Sequence, residues 1–229
     1  MLAGCSGAEG ERAQQLLGRA QTAQSRLTSM GYDLRMTFAL DGQRASLVLD
    51  GGAYLKGRRA GDQLMTMRME GLPDLTAMNM RLLLRGRRLT MTANGRTFSS
   101  TVPASARRQY DWSSTMLDLT RYVKDVRVRE NRVVNGERGA TVSGVIDTEG
   151  LLEAASKLRS FSQATGQAAP DLSSLGAEVG DTHAALFVSN RTGLIRSAVV
   201  SVGMKAAGKR FDLDVTYRLK HVNRAIPGL

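Results

Sequence analysis

Asp181 to Leu219 reads DTHAALFVSNRTGLIRSAVVSVGMKAAGKRFDLDVTYRL, and this stretch decides the fold. Near its end Phe211, Leu213, Val215, Tyr217 and Leu219 alternate with Asp212, Asp214, Thr216, Arg218 and Lys220. A period of two belongs to a strand with one dry face and one wet face. Leu194 to Met204 and Ala184 to Ser189 read as two further strands. Arg191-Thr192-Gly193 and Ala206-Ala207-Gly208 join them, each with a Gly able to take the positive φ of a tight turn. The result is an antiparallel meander. Such a sheet can leave one face in water and must cover the other, so the rest of the chain has to supply the cover.

Upstream the same alternation recurs. Leu34, Met36, Phe38 and Leu40 share one side of a strand over Tyr32 to Leu40, which Asp41-Gly42 turns into a second from Gln43 to Leu55. Met65, Met67 and Met69 share a face of Leu64 to Glu70. Leu72-Pro73-Asp74 then breaks the pattern. Met80, Leu82 and Leu84 resume it, Gly86 turns the chain into Leu89 to Ala93 with Met91 at its centre, and Asn94-Gly95 leads into Arg96 to Val102.

Three helices are predicted among these strands. From Glu9 to Met30, Ala13, Leu16, Leu17, Ala20, Ala23, Leu27 and Met30 form one stripe, which Gly31 ends. Ser113 or Ser114 can cap a second helix carrying Met116, Leu119, Tyr122, Val123 and Val126. A strand from Val126 to about Glu130 follows. Asn135-Gly136 then turns into Arg138 to Ile146, with Ala140, Val142, Gly144 and Ile146 on one face. The third helix carries Leu151, Ala154, Ala155, Leu158 and Phe161, and Gln163 to Gly176 is expected to be a mobile loop.

A chain of 229 residues with 42% hydrophobic content can bury one sizeable core, so one domain is expected over 9–229, with 1–8 as a tether. The formal charge of +11 favours an anionic partner, and a solvated basic surface accounts for it as well. Arg58-Arg59, Arg87-Arg88 and Arg107-Arg108 are isolated pairs without a recognition helix, zinc-finger spacing or aromatic ribonucleoprotein motif. Specific nucleic-acid binding is therefore not expected. No apolar run reaches the roughly 18 residues of a membrane span.

Leu2-Ala3-Gly4-Cys5 has the form of a bacterial lipobox, in which an apolar residue and two small ones precede an acylated Cys. Cys5 is the one cysteine in the chain and stands at its N-terminal end, followed by small Ser6-Gly7-Ala8. It is read as a lipid anchor, with a free thiol on a frayed end as the alternative. The anchor reading places the protein in the cell envelope, on the outer face of the cytoplasmic membrane. His183 and His221 lack metal-ligand spacing, and neither a nucleophile elbow nor a phosphate loop is present, so neither an enzyme nor a cofactor is expected.

The order of elements resembles the LolA/LppX superfamily of bacterial envelope lipoproteins, and most of all its actinobacterial LppX/LprG branch. The resemblance rests on Tyr122-Val123-Lys124-Asp125-Val126 running into Val133-Val134-Asn135-Gly136. It rests also on Thr141-Val142-Ser143-Gly144-Val145-Ile146-Asp147 before Leu151-Leu152, and on Gly193-Leu194-Ile195 opening a strand that leads to the final alternation. It implies an α+β fold: a half-open antiparallel β-barrel, a curved sheet with helices covering its concave face, and an acyl-chain cavity between them.

Eleven methionines lie mostly on apolar strand faces. Met is unbranched and adaptable, which suits a surface that accepts flexible chains, and equally a core poor in aromatic residues. On the first reading Leu34, Met36, Phe38, Met65, Met67, Met69, Met80, Leu82, Met91, Val142, Leu151, Leu213, Val215 and Tyr217 line the cavity. Two functions follow. One is a monomeric carrier or chaperone that binds acyl chains of a lipid or lipoglycan and meets an anionic membrane surface. The other is a non-enzymatic sensor or structural envelope module that binds a protein partner.

Overall fold

The computed structural model describes residues 5–40, 43–71, 78–103, 123–147, 178–206 and 209–229. One helix, α1 (Cys5–Ser25), precedes six strands: β1 (Ser29–Leu40), β2 (Gln43–Tyr54), β3 (Gln63–Glu70), β4 (Met78–Arg85), β5 (Arg88–Ala93) and β6 (Arg96–Thr101). Five more follow: β7 (Val123–Val134), β8 (Glu137–Ile146), β9 (Glu178–Ser189), β10 (Ile195–Ala206) and β11 (Lys209–Lys220). They form one sheet in the order β6-β5-β4-β3-β2-β1-β11-β10-β9-β8-β7, antiparallel throughout. β6 and β7 are its two edges, so the sheet does not close into a barrel.

The hairpins form where the sequence places left-handed residues. Asn94 and Gly95 take φ of 49° and 77°, and Asn135 and Gly136 take 51° and 76°, the pair of positive values that matches the twist of the flanking strands. The β7 edge carries Lys124, Arg127, Arg129, Glu130 and Arg132, and register shifts lie beside Asp125 and Asn131, both at positive φ. Charges and bulges of this kind keep an edge from pairing with another chain.

α1 begins at Cys5, so the tether expected over 1–8 is helical from that residue on. It also stops at Ser25, short of Met30. The N–H and Oγ1 of Thr28 donate to Asn223 Oδ1 at 2.8 and 3.1 Å, which fixes the exit from the helix before β1 starts at Ser29. Ala13, Leu16, Leu17 and Ala20 are buried as the helix packs along β7 and β8. Arg12 Nε lies 3.0 Å from Glu130 Oε1, and the Val128 N–H donates to Glu9 Oε1 at 3.1 Å. An exposed ion pair is worth at most about 1 kcal/mol. Burying one Leu is worth about 1.5–3 kcal/mol, so the apolar stripe holds the helix and the polar contacts set its register.

Val123 and Val126, expected on the second helix, lie in β7. Both are β-branched and fit either period, and pairing with β8 decides in favour of the strand. The rest of that helix, the third helix with Leu151, the loop over 163–176 and the break at Leu72-Pro73-Asp74 fall outside the described residues. Of the helices expected to cover the sheet, α1 is the one described, and none of the described helices is long and apolar enough to cross a membrane. After β11 the chain folds back over the strands: Ile226 is buried above Gly52, where a Cβ would meet Ile226 Cγ2 at 2.6 Å.

Candidate functional site

Strand registers turn the separate apolar stripes into continuous rows. Leu34 pairs with Leu49 on one side and Tyr217 on the other. The row continues through Met67 and Met80 in one direction, and through Ala198, Leu186 and Val142 in the other. One row nearer the β1–β2 hairpin, Met36 joins Leu47, Met69, Val215 and Val200. One row further still, Phe38 pairs with Ala45 and Leu213. On the other side of the Leu34 row, Met65, Leu82 and Met91 stand in line with Tyr32 and Gly51. Thirteen of the fourteen residues assigned to a lining from sequence thus share one face of one sheet. The fourteenth, Leu151, lies outside the described residues.

Burial divides this face. Leu34 and Tyr217 are 1% exposed, and Met65, Met80, Leu82 and Val142 are also buried, so that part of the face is packed. Towards the β1–β2 hairpin the cover thins. Met36, Met69, Leu213 and Val215 are half-buried there, as is Met67 in the Leu34 row, and Phe38 is 44% exposed. The open region lies at the ends of β1, β2, β3 and β11, whereas the same rows continue buried onto β9 and β10. Met91 is also half-buried and faces Phe98 on the β6 edge, which is 56% exposed.

Two features of the face were missed from sequence. Tyr32 and Tyr217 stand on adjacent strands as diagonal neighbours, both buried. Burial pushes both phenols above their ordinary pKa, aided by the Asp50 charge at Tyr32 and by Tyr32 at Tyr217. Both stay neutral at physiological pH. The Tyr217 hydroxyl is buried without a hydrogen-bond partner, and so is Gln24 Oε1 of α1. No periodicity reveals an unmatched hydroxyl. Such a face can bury hydrocarbon and offer a phenol.

The opposite face is polar. Asp33 and Asp50 are paired across β1 and β2, and Lys220 Nζ lies 2.5 Å from Asp33 and 3.6 Å from Asp50. Partial burial opposes ionisation of Asp33 but is outweighed by hydrogen bonds from Asp50 and Lys220, which hold its pKa below the usual carboxylate value. Partial burial and the Asp33 carboxylate push Asp50 up, so Asp33 loses its proton before Asp50 does. His183 and His221 are both exposed, and among the described residues no cluster of His, Cys, Asp and Glu could hold a metal ion.

No protein-family model and no curated protein sequence matches the chain. Among solved structures, the crystal structure of LprF from Mycobacterium bovis superposes with a TM-score of 0.58 at 13% identity, over 94% of this chain and 94% of that one. LppX from Mycobacterium tuberculosis gives 0.49 at 10% identity, over 94% and 97%. A LolA-superfamily protein from Nitrosomonas europaea gives 0.28 at 12% identity, over 91% and 93%. The match to LprF shows a shared fold across nearly the whole of both chains, and at that level the expected resemblance holds.

Proposed function

From a chain that shares the fold of LprF, we propose a non-enzymatic carrier that binds acyl chains of a lipid or lipoglycan against the apolar face of its sheet. The observation that supports it most is the graded burial of that face among the described residues. The rows that form a packed core at Leu34 and Tyr217 run on, without a change of polarity, to half-buried Met36, Met69, Leu213 and Val215 and to exposed Phe38. Burying a CH₂ is worth about 0.8 kcal/mol, so one long acyl chain laid along these rows supplies over about ten kcal/mol before ordering costs. Unbranched Met side chains adapt to chains of varied shape.

The domain extends from α1 to the last strand, and Cys5, at the first turn of α1, is the proposed acylation site that holds it in the cell envelope. Native mass spectrometry of the Cys5→Ser chain purified from a bacterial host tests the reading. Co-purified lipid that is displaced by a fluorescent fatty acid is the expected result. A lipid-free chain that takes up no fatty acid would refute the carrier and leave the protein-binding module.

A further inference from the structure

Among the described residues, net positive charge is concentrated at one end of the sheet. In an antiparallel meander alternate connections return to the same end, and here the connections and the strand ends beside them, over 26–28, 55–62, 85–88, 132–138, 189–196 and 221–229, all lie at the end away from the β1–β2 hairpin. These segments hold twelve of the 32 Lys and Arg, against Asp62 and Glu137 as their Asp and Glu. Everything else in the chain is nearly balanced, with twenty cations and nineteen carboxylates.

Both carboxylates of these segments are already engaged. Asp62 Oδ1 accepts the Gly86 N–H at 2.7 Å and its Oδ2 lies 3.4 Å from Arg59, while Glu137 meets Arg196 at 3.1 Å and Arg191 at 3.8 Å. Several cations are held in place without being neutralised. Lys56 Nζ donates to the Ser25 carbonyl at 2.7 Å and Arg85 to the Gly228 carbonyl at 3.2 Å. Arg58, Arg87, Arg88, Arg138 and Arg224 are exposed.

We propose that this pole docks on an anionic lipid bilayer and turns the open end of the apolar face away from it. The shape of the charge favours a plane over a single polymer strand. The cations run from the β4–β5 turn to the β7–β8 turn, across most of a sheet whose strands sit about 4.8 Å apart, so the front is on the order of 40 Å wide. Among the described residues it presents no free aromatic platform for bases, since Tyr54 lies under Arg59 at 4.2 Å. Twelve-residue strands of about 3.3 Å per residue separate the two ends by about 40 Å, several Debye lengths at physiological salt. An anionic surface at one end is therefore not felt at the other. Ser25, the last residue of α1, accepts from Lys56 at the pole, so Cys5 lies about 30 Å of helix away from it, and a chain anchored there would be held at one bilayer while the pole reaches a second.

The test uses the Cys5→Ser chain and vesicles of phosphatidylcholine with or without phosphatidylglycerol. Binding is expected with phosphatidylglycerol alone and should weaken as salt rises. A cation near such a surface contributes about fivefold, so reversing Arg58, Arg87 and Arg88 to Glu should weaken partitioning by about a hundredfold or more. Reversing Arg44, Arg96 and Lys205, at the opposite end, should change it less than about threefold. Single Arg88→Glu, expected to lose at least about fivefold, covers the case of a triple variant that folds poorly. A fluorophore on Asn190→Cys should shift on vesicle binding and one on Ala39→Cys should not. Equal loss from both triple variants, a shift at Ala39 alone, or binding to duplex DNA or polyphosphate without binding to vesicles would overturn the proposal.

Discussion

Replacing Tyr217 with Phe removes one oxygen atom and should stabilise the ligand-free protein. The hydroxyl is buried and has no partner, so the folded state carries its desolvation cost without a compensating bond. That cost is about 1–3 kcal/mol for a neutral group, and the dispersion contacts of one atom offset part of it, leaving a gain of about 1 kcal/mol. For a chain of 229 residues such a gain corresponds to a rise in Tm of about 2–4 °C. Urea denaturation should move to a higher midpoint at unchanged slope. The pH dependence has a definite sign as well. Burial holds the folded phenol above its ordinary value of 10.0, so above that pH the unfolded chain ionises first and the wild type loses stability. Phe has no proton to lose, and the gap between variant and wild type should widen in alkali. A lower Tm for Tyr217→Phe would show that the hydroxyl is satisfied in solution, and would refute the reasoning.

The divided burial of the apolar face predicts unequal responses to the same change. Met80→Trp overpacks a buried position and should cost about 1–3 kcal/mol, whereas half-buried Met36→Trp should cost under about 1 kcal/mol while weakening fatty-acid uptake; equal losses in thermal melts would contradict the division. Asp50→Asn keeps a neutral partner for Asp33 at every pH. Because the folded pKa of Asp50 is raised, its contribution is present at acid pH and lost as pH rises through that value, so the variant should melt above wild type at neutral pH, with the gap closing towards pH 4. A gap that is constant with pH would refute the upward shift of Asp50. Cys5→Ser, expressed behind a full export signal, should leave Tm unchanged and move the protein from membrane to soluble fractions; unchanged fractionation would exclude the anchor.

The rows of the sheet were legible because period two leaves little choice. Once Leu34, Met36 and Phe38 are assigned to one side of β1 and Leu213, Val215 and Tyr217 to one side of β11, any antiparallel register that pairs the apolar sides produces a common face. The Asn-Gly turns were equally plain, since few other pairs accept two positive φ values. What lies on top of a row is another matter. Leu34 and Phe38 carry the same period and the same chemistry, yet one is sealed and the other is 44% exposed. The difference depends on segments distant in sequence, and no local pattern encodes it. The pairing of β1 with β11 is a contact of the same kind, which brings Lys220 to Asp33 across almost the whole chain.

The charge pole was hidden for a different reason. Each Arg pair, at 58–59 and 87–88, is unremarkable alone, and a linear scan for runs of like charge passes over both. Their meaning comes from direction. β2 and β4 both run towards the end that β1 leaves, so the turns after them are neighbours, and the Gly86 N–H bonding to Asp62 shows how closely they meet. Strand parity therefore carries two kinds of information: along a strand it separates apolar from polar faces, and from turn to turn it separates the two ends of the sheet. Summing charge over alternate turns would have found the pole once the meander was accepted. It would also have distinguished a uniformly basic surface, which repels itself everywhere, from a dipolar one that orients in the field of an anionic plane. That distinction makes the +11 charge bear on the proposed function, since a protein that bound acyl chains at one end would have use for a different surface at the other.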